Sequence, residues 1–278
     1  MKYYKRIFLL TFTIITLFSC KKADNKKNTK DEVPISNFSA KQQDSLKDLY
    51  VKNKAKNFPL YSQERQAAID EGLKVDSTIA YFWQQKAMPL FKQRKYEIGM
   101  DFIDEAVKYD RKRYQDYRAF IKCIFSKQYR EAIADFKDYQ EEFGYGFVMD
   151  HSYDFYIALS YLQLNEFEKA EKLFEKDYKR TIEKDGRGWL HHLDLFYYGI
   201  SKYEQKKNKQ ALDLFNQALD IYPQFSDVQY YKAVTLLKLG EKEEATKVYQ
   251  EAIKNADKGY TINEDNAIYE IYPYQMRW

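Results

Sequence analysis

The side chains able to do chemistry are few, and their spacing argues against most chemistry. The only histidines are His151, His191 and His192. Two imidazoles on a helix share a metal when they stand four residues apart, whereas adjacent ones point about 100° apart. The histidines therefore read as packing or surface groups, and no metal is expected. Cys123 sits among Phe120, Ile121, Ile124 and Phe125, the setting of a buried small residue rather than a reactive thiol. Asp101, Asp104 and Glu105 lie beside basic residues on helical faces. They read as solvated ion pairs worth about 0.2–0.5 kcal/mol each. Gly144-Tyr145-Gly146 follows no strand and lacks a third glycine in register, so it reads as a turn and not a phosphate cradle. No Ser-His-Asp pattern and no cysteine paired with a base is visible. The chain is expected to be no enzyme and to need no cofactor.

The elements that carry these residues begin with an export segment. Lys2, Lys5 and Arg6 precede an apolar run from Ile7 to Phe18, and no acid occurs before Cys20. A membrane-spanning helix wants about 20 apolar residues, so residues 1–19 read as a secretory signal peptide. Its removal takes the net charge from +4 to +1. A near-neutral chain lacks the concentrated basic face that nucleic acid requires. Residues 20–38 are rich in Lys, Asn and Asp. They cannot bury a core and read as a tether with a reach of roughly 25 Å.

Leu17-Phe18-Ser19-Cys20 resembles the lipobox of bacterial lipoproteins. The resemblance implies that Cys20 becomes the mature amino terminus, carrying a diacylglycerol and an N-acyl chain of the palmitate type. Several acyl chains together anchor a protein stably. Lys21 after the cysteine implies the outer membrane. The acidic run that directs some lipoproteins to the cell surface is missing from Lys21-Lys22-Ala23-Asp24, which implies a periplasm-facing protein, with the cell surface as the alternative.

Helical periodicity covers residues 39–257. Gly199, Ala211 and Ala218 reappear 34 residues later as Ala233, Ala245 and Ala252, with Phe215 matched by Tyr249. Small residues let antiparallel helices approach, and a large neighbour fills the groove beside them. This code and its period resemble the tetratricopeptide (TPR) repeat. Trp83, Ala87, Gly99, Ile103 and Ala106 fit one unit, and Tyr129, Ala132 and Phe136 a looser one. Ala158, Tyr161, Phe167, Ala170 and Phe174 fit a third, although Asp177 stands where a small residue is usual. Residues 40–53 and 62–74 read as a degenerate first pair. The resemblance implies an all-α solenoid of antiparallel helix pairs forming a right-handed superhelix. Longer spacings, Ala132 to Ala170 and Ala170 to Ala211, place insertions at Phe143–Phe147 and Arg180–Gly188, expected as loops on one edge.

The resemblance also implies a concave groove lined by the first helix of each pair. Carried over residue by residue, its wall comprises Trp83, Gln84, Met88 and Phe91, then Phe155 and Leu159. Phe196, Ile200 and Tyr203, then Tyr230 and Val234, continue it. The Lys and Asn clamp with which some TPR proteins hold a terminal carboxylate is not reproduced. Pro89 falls inside the first of these helices, so the helix either kinks there, opening the groove, or begins there. Residues 258–278 break the repeat but carry Tyr269, Tyr272, Tyr274 and Trp278. So many aromatics predict packing, with a cap on the last pair favoured over a plug in the groove. The implied function is a membrane-anchored scaffold that binds a protein or peptide partner of the cell envelope. Its layout is similar to TPR lipoproteins of the outer-membrane barrel-assembly machine and to adaptors of peptidoglycan hydrolases. The alternative is capture of a small molecule or glycan for an outer-membrane uptake system.

Overall fold

A computed structural model describes residues 34–278. Twelve α-helices follow one another among the described residues. The first is α1 (Ala40–Lys47), which continues as a π-helical turn over Asp48–Lys52 before α2 (Gln63–Val75). Five pairs follow: α3 (Ala80–Lys92) with α4 (Tyr96–Tyr109), α5 (Arg111–Ile124) with α6 (Tyr129–Phe143), and α7 (Tyr153–Gln163) with α8 (Phe167–Lys184). The last two are α9 (His192–Glu204) with α10 (Asn208–Ile221) and α11 (Ser226–Leu239) with α12 (Lys242–Asp257).

The pairs repeat one turn. Arg94, Lys127, Asn165, Lys206 and Gly240 follow α3, α5, α7, α9 and α11 with φ of 61°, 57°, 59°, 60° and 94°. In four of the five the next amide returns to a carbonyl five residues back, as Lys95 does to Leu90 at 2.9 Å and Glu241 to Leu236 at 3.0 Å, while Gln128 reaches six back to Lys122 at 2.8 Å. This left-handed cap satisfies orphan carbonyls of the first helix and sends the chain back antiparallel.

Small side chains set the closeness of each pair. Ala211 and Ala218 are fully buried, and Ala233, Ala245 and Ala252 are at most 2 % exposed. A Cβ on Gly199 would lie 2.5 Å from the Phe215 ring, and one on Gly99 would lie 2.5 Å from Phe91. An aromatic ladder runs beside these contacts. Trp83 meets Phe102, Phe155 meets Phe174, Phe196 meets Phe215 and Tyr230 meets Tyr249, with centroids 6.0–6.3 Å apart. In each case a first-helix aromatic packs on the second-helix aromatic nineteen positions later.

Three features depart from the expectations. The helix α3 runs through Pro89 without interruption, so it does not begin there. Phe91, two residues beyond, is buried at 1 %, so no opened groove follows it. The first insertion makes a minimal antiparallel ribbon, β1 (Phe147–Val148) with β2 (His151–Ser152). The second is largely an extension of α8, with Arg187–Trp189 forming a 3-10 turn. Asp177 explains its own departure from the small-residue pattern. It accepts hydrogen bonds from Ser152 at 2.7 Å and Tyr145 at 2.9 Å, tying the ribbon to α8. Burial raises its carboxyl above the usual range against those two hydroxyls.

After α12 the chain does not cap the stack. Tyr249 and Ile253 of α12 remain 44 % and 39 % exposed. Residues 258–278 instead return along the first helices, with Ile262 and Tyr272 buried in the main core. Of the two routes expected for the tail, the structure takes the one along the groove.

Candidate functional site

The site is the face of the first helices together with the tail lying on it. The tail runs out from α11 and back. Its outward leg places the Ile262 amide 3.1 Å from Asp227 and Glu264 3.5 Å from His151 Nε2. At the far turn, the Tyr269 carbonyl accepts from Arg94 at 3.3 Å, and the ammonium of Lys92 stands 4.5 Å from the Tyr269 ring. Returning, the Ile271 carbonyl accepts from Lys127 at 2.9 Å and the Pro273 carbonyl from the Tyr197 hydroxyl at 2.8 Å. The Met276 amide then donates to Asp227 at 2.6 Å. Tyr274 packs on Tyr231, and Trp278 packs on Tyr230.

Asp227 thus holds both legs through the main chain. It is fully buried at the start of α11. Burial raises its carboxyl to about 6, against the lowering by the Met276 and Ile262 amides. His151 is the second clamp. Its Nδ1 lies 2.7 Å from Asp194. Burial pushes this histidine down, but Asp194 and Glu264 on either side outweigh it and raise it to about 10. At neutral pH the ring is an imidazolium between two carboxylates, stacked on Phe155 at 4.0 Å.

His151, His191 and Asp194 offer donor atoms within 4.8 Å of one another, a convergence that the adjacent pair His191-His192 did not announce. These donors are already engaged. His151 Nδ1 bonds Asp194, while His191 Nδ1 accepts the Leu193 amide at 3.3 Å as the cap of α9. With these nitrogens occupied and carboxylates on both sides of His151, the residues fit an ion-pair clamp better than a metal site. Cys123 is fully buried, receives the Ser160 hydroxyl at 3.3 Å, and has its thiol pushed up to about 12 by burial.

The expected groove residues divide. Phe91, Phe155, Leu159, Phe196 and Ile200 are at most 1 % exposed. They are core, so their assignment to an accessible wall is corrected. Trp83 turns toward α4 and donates its indole N–H to the Ser77 carbonyl at 2.8 Å. Gln84, Met88, Tyr203, Tyr230 and Val234 are half-buried. Tyr230 meets the tail as expected, through Trp278, but the neighbours of two expected residues meet it as well. Tyr197 bonds it and Tyr231 packs edge-on against Tyr274, each one position after an expected residue and about 100° further round the helix. Arg94, Lys127, His151, Asp194 and Asp227 were not foreseen. Arg94 and Lys127 occupy the left-handed turn positions, a setting in which strained residues often serve function.

Cys20 lies outside the described residues. No described helix is long and apolar enough to cross a membrane.

A tetratricopeptide-repeat profile matches residues 202–260. Comparison with curated proteins finds no match. Solved structures of the same fold include a tetratricopeptide repeat protein from Parabacteroides merdae, 13 % identical, with a TM-score of 0.60 over 77 % of this chain and 80 % of that one. PilW, a widely conserved type IV pilus biogenesis factor, is 12 % identical, with a TM-score of 0.60 over 83 % of this chain and all of that one. YrrB, a TPR protein with an unusual peptide-binding site, is 16 % identical, with a TM-score of 0.50 over 69 % and 94 %. The fold is therefore that of an all-α TPR solenoid.

Proposed function

We propose that this chain is a non-enzymatic, lipid-anchored scaffold whose first-helix face takes a peptide segment of a protein partner at the cell envelope. The observation that carries this reading is the manner in which the tail is held. Arg94, Lys127 and Tyr197 donate to tail carbonyls, and Asp227 accepts two tail amides. Main-chain contacts of this kind accept a peptide whatever its side chains, and pockets between them supply selectivity. Cys20 would carry the lipid and fix the scaffold to the outer membrane, facing the periplasm. Confinement beside its partners raises their effective concentration without new contacts.

The test is photo-crosslinking in cells from Tyr203, Tyr230 and Val234, the half-buried groove positions, in the lipidated protein. A defined envelope protein captured from these positions, and not from the exposed Ile98 on α4, supports the reading. Capture of lipid alone counts against it.

A second reading rests on a different place. A cavity of about 600 Å³ lies between α1 with its π-helical turn, the start of α3 and the α4–α5 corner. Tyr81, Tyr109 and Tyr114 line it with Asp44, Asp110 and Arg113, a mixture of rings and hydrogen-bonding groups that suits a glycan. The indole of Trp83 is bonded beside it, at Ser77. A saturable change in Trp83 fluorescence with oligosaccharide would favour this reading.

A further inference from the structure

We infer that Glu270–Tyr274 is a resident copy of the ligand, and that the face takes in trans a segment of the same chemistry, turned at its proline: a carboxylate, an aliphatic residue, then Tyr-Pro-Tyr. This deepens the scaffold reading and rests on it. The argument starts from charge. Lys92 and Arg94 from the α3–α4 turn and Lys127 from the α5–α6 turn converge on the far bend of the tail. Among the described residues, the carboxylate that Arg94 and Lys127 meet is Glu270, 3.8 Å from each. The hydroxyl of Tyr96 also bonds it, and its side chain is only 13 % exposed. Two cations from the solenoid thus face one acid from the tail, with Lys92 on the neighbouring Tyr269 ring, a patch complementary to an acidic segment.

The next positions are read in order. Lys127 holds the carbonyl after the carboxylate, at Ile271. Tyr272 is buried at 2 %. The Pro273 carbonyl meets Tyr197, and Pro273 and Tyr274 form a turn closed by the Gln275 amide on the Tyr272 carbonyl at 3.2 Å, for which proline presets φ. Tyr274 packs edge-on against Tyr231 with its own backbone left-handed, at φ 58°. A tyrosine holds that conformation only where its surroundings over-determine it. The tail is also attached: it leaves α12 at Lys258, so its local concentration is on the order of millimolar. A free segment of equal intrinsic affinity at about 10 μM is outcompeted roughly a hundredfold. The tail therefore sets a threshold that a partner passes by abundance or by confinement at the same membrane.

The test is fluorescence anisotropy with a labelled peptide spanning residues 268–278, titrated against the full chain. Tyr272→Ala and Glu270→Gln in the protein weaken its own tail and leave every groove residue intact. The expected result is peptide binding at least tenfold tighter to these variants than to the unaltered chain. Glu270→Lys in the peptide, or Arg94→Glu with Lys127→Glu in the protein, should lower it again at least tenfold. Glu270→Gln gives the reading should Tyr272→Ala lose its helical circular dichroism. Folded variants that do not bind the peptide, or binding indifferent to the Glu270→Lys peptide, overturn the inference. A partner crosslinked from Tyr203 or Tyr230 alongside a silent titration would reject the mimicry and leave the scaffold reading standing. Binding of the peptide with no crosslinked partner would do the reverse.

Discussion

The contact between Gly199 and Phe215 offers a quantitative test of the packing code. Replacing Gly199 with alanine places a methyl 2.5 Å from Cε1 and 2.7 Å from Cδ1 of the Phe215 ring. The ring has little room to retreat. It is fully buried, with Phe196 and Tyr231 at 6.3 and 6.4 Å. Two effects oppose each other. Alanine in a helix interior is favoured over glycine by roughly 1 kcal/mol. Overpacking a filled core costs about 1–3 kcal/mol. With an immobile ring the second wins, so Gly199→Ala should destabilise the chain by up to about 2 kcal/mol. Urea unfolding followed by circular dichroism measures it. Phe215→Leu should relieve the clash, giving the double variant a favourable coupling of about 1 kcal/mol or more. A Gly199→Ala protein more stable than its parent, with no coupling to Phe215, would refute the view that small residues set the approach of these helices.

Four further outcomes are expected. Asp227→Ala should strip both tail legs of their shared acceptor, at about 1–3 kcal/mol for each buried amide, and deuterium exchange should accelerate at Ile262 and Met276. His151 is held charged by its neighbours at up to about 10, above the ordinary histidine value. Its contribution is complete below about pH 6.5 and is lost as pH rises through the folded value, so the melting temperature should fall between pH 7 and 9.5. The fall should be shallower in His151→Gln. Cys123 should resist thiol reagents in the native protein and react after denaturation, given its burial and raised thiol. Cys20→Ser should leave the protein without lipid by mass spectrometry and absent from washed membranes.

What could be read in advance follows from what repeats. Ala211 and Ala218, with Ala245 and Ala252 in the same phase, report the close approach of two helices directly, because only small residues fit there. The rotation of the first helices was less legible. Phe155-Tyr156, Phe196-Tyr197 and Tyr230-Tyr231 each place two aromatics side by side. Composition cannot say which of the two meets the second helix and which meets the tail. The ladder decides it: Phe155 and Phe196 reach Phe174 and Phe215, and their successors turn to the other face. The path of the tail lay beyond sequence reasoning, because its partners, such as Asp227 and Arg94, occupy no periodic pattern. Even so, Tyr272 and Pro273 showed that the segment had something to pack against. The clamp at His151 depends on a ribbon that bends one insertion back over α9, and spacing alone carries no trace of that.

A stack of repeats is ordinarily a row whose ends can fray independently, since each unit knows only its neighbours. Here Arg94 grips Tyr269 across 175 residues of chain. The row becomes a closed circuit, with the first full pair and the final residues depending on each other. Loosening at either extremity should propagate to the opposite one, so melting should be more cooperative than independent units would give. Residues 258–278 follow every pair in the chain, and until they are synthesised the earlier pairs must stand with that side bare.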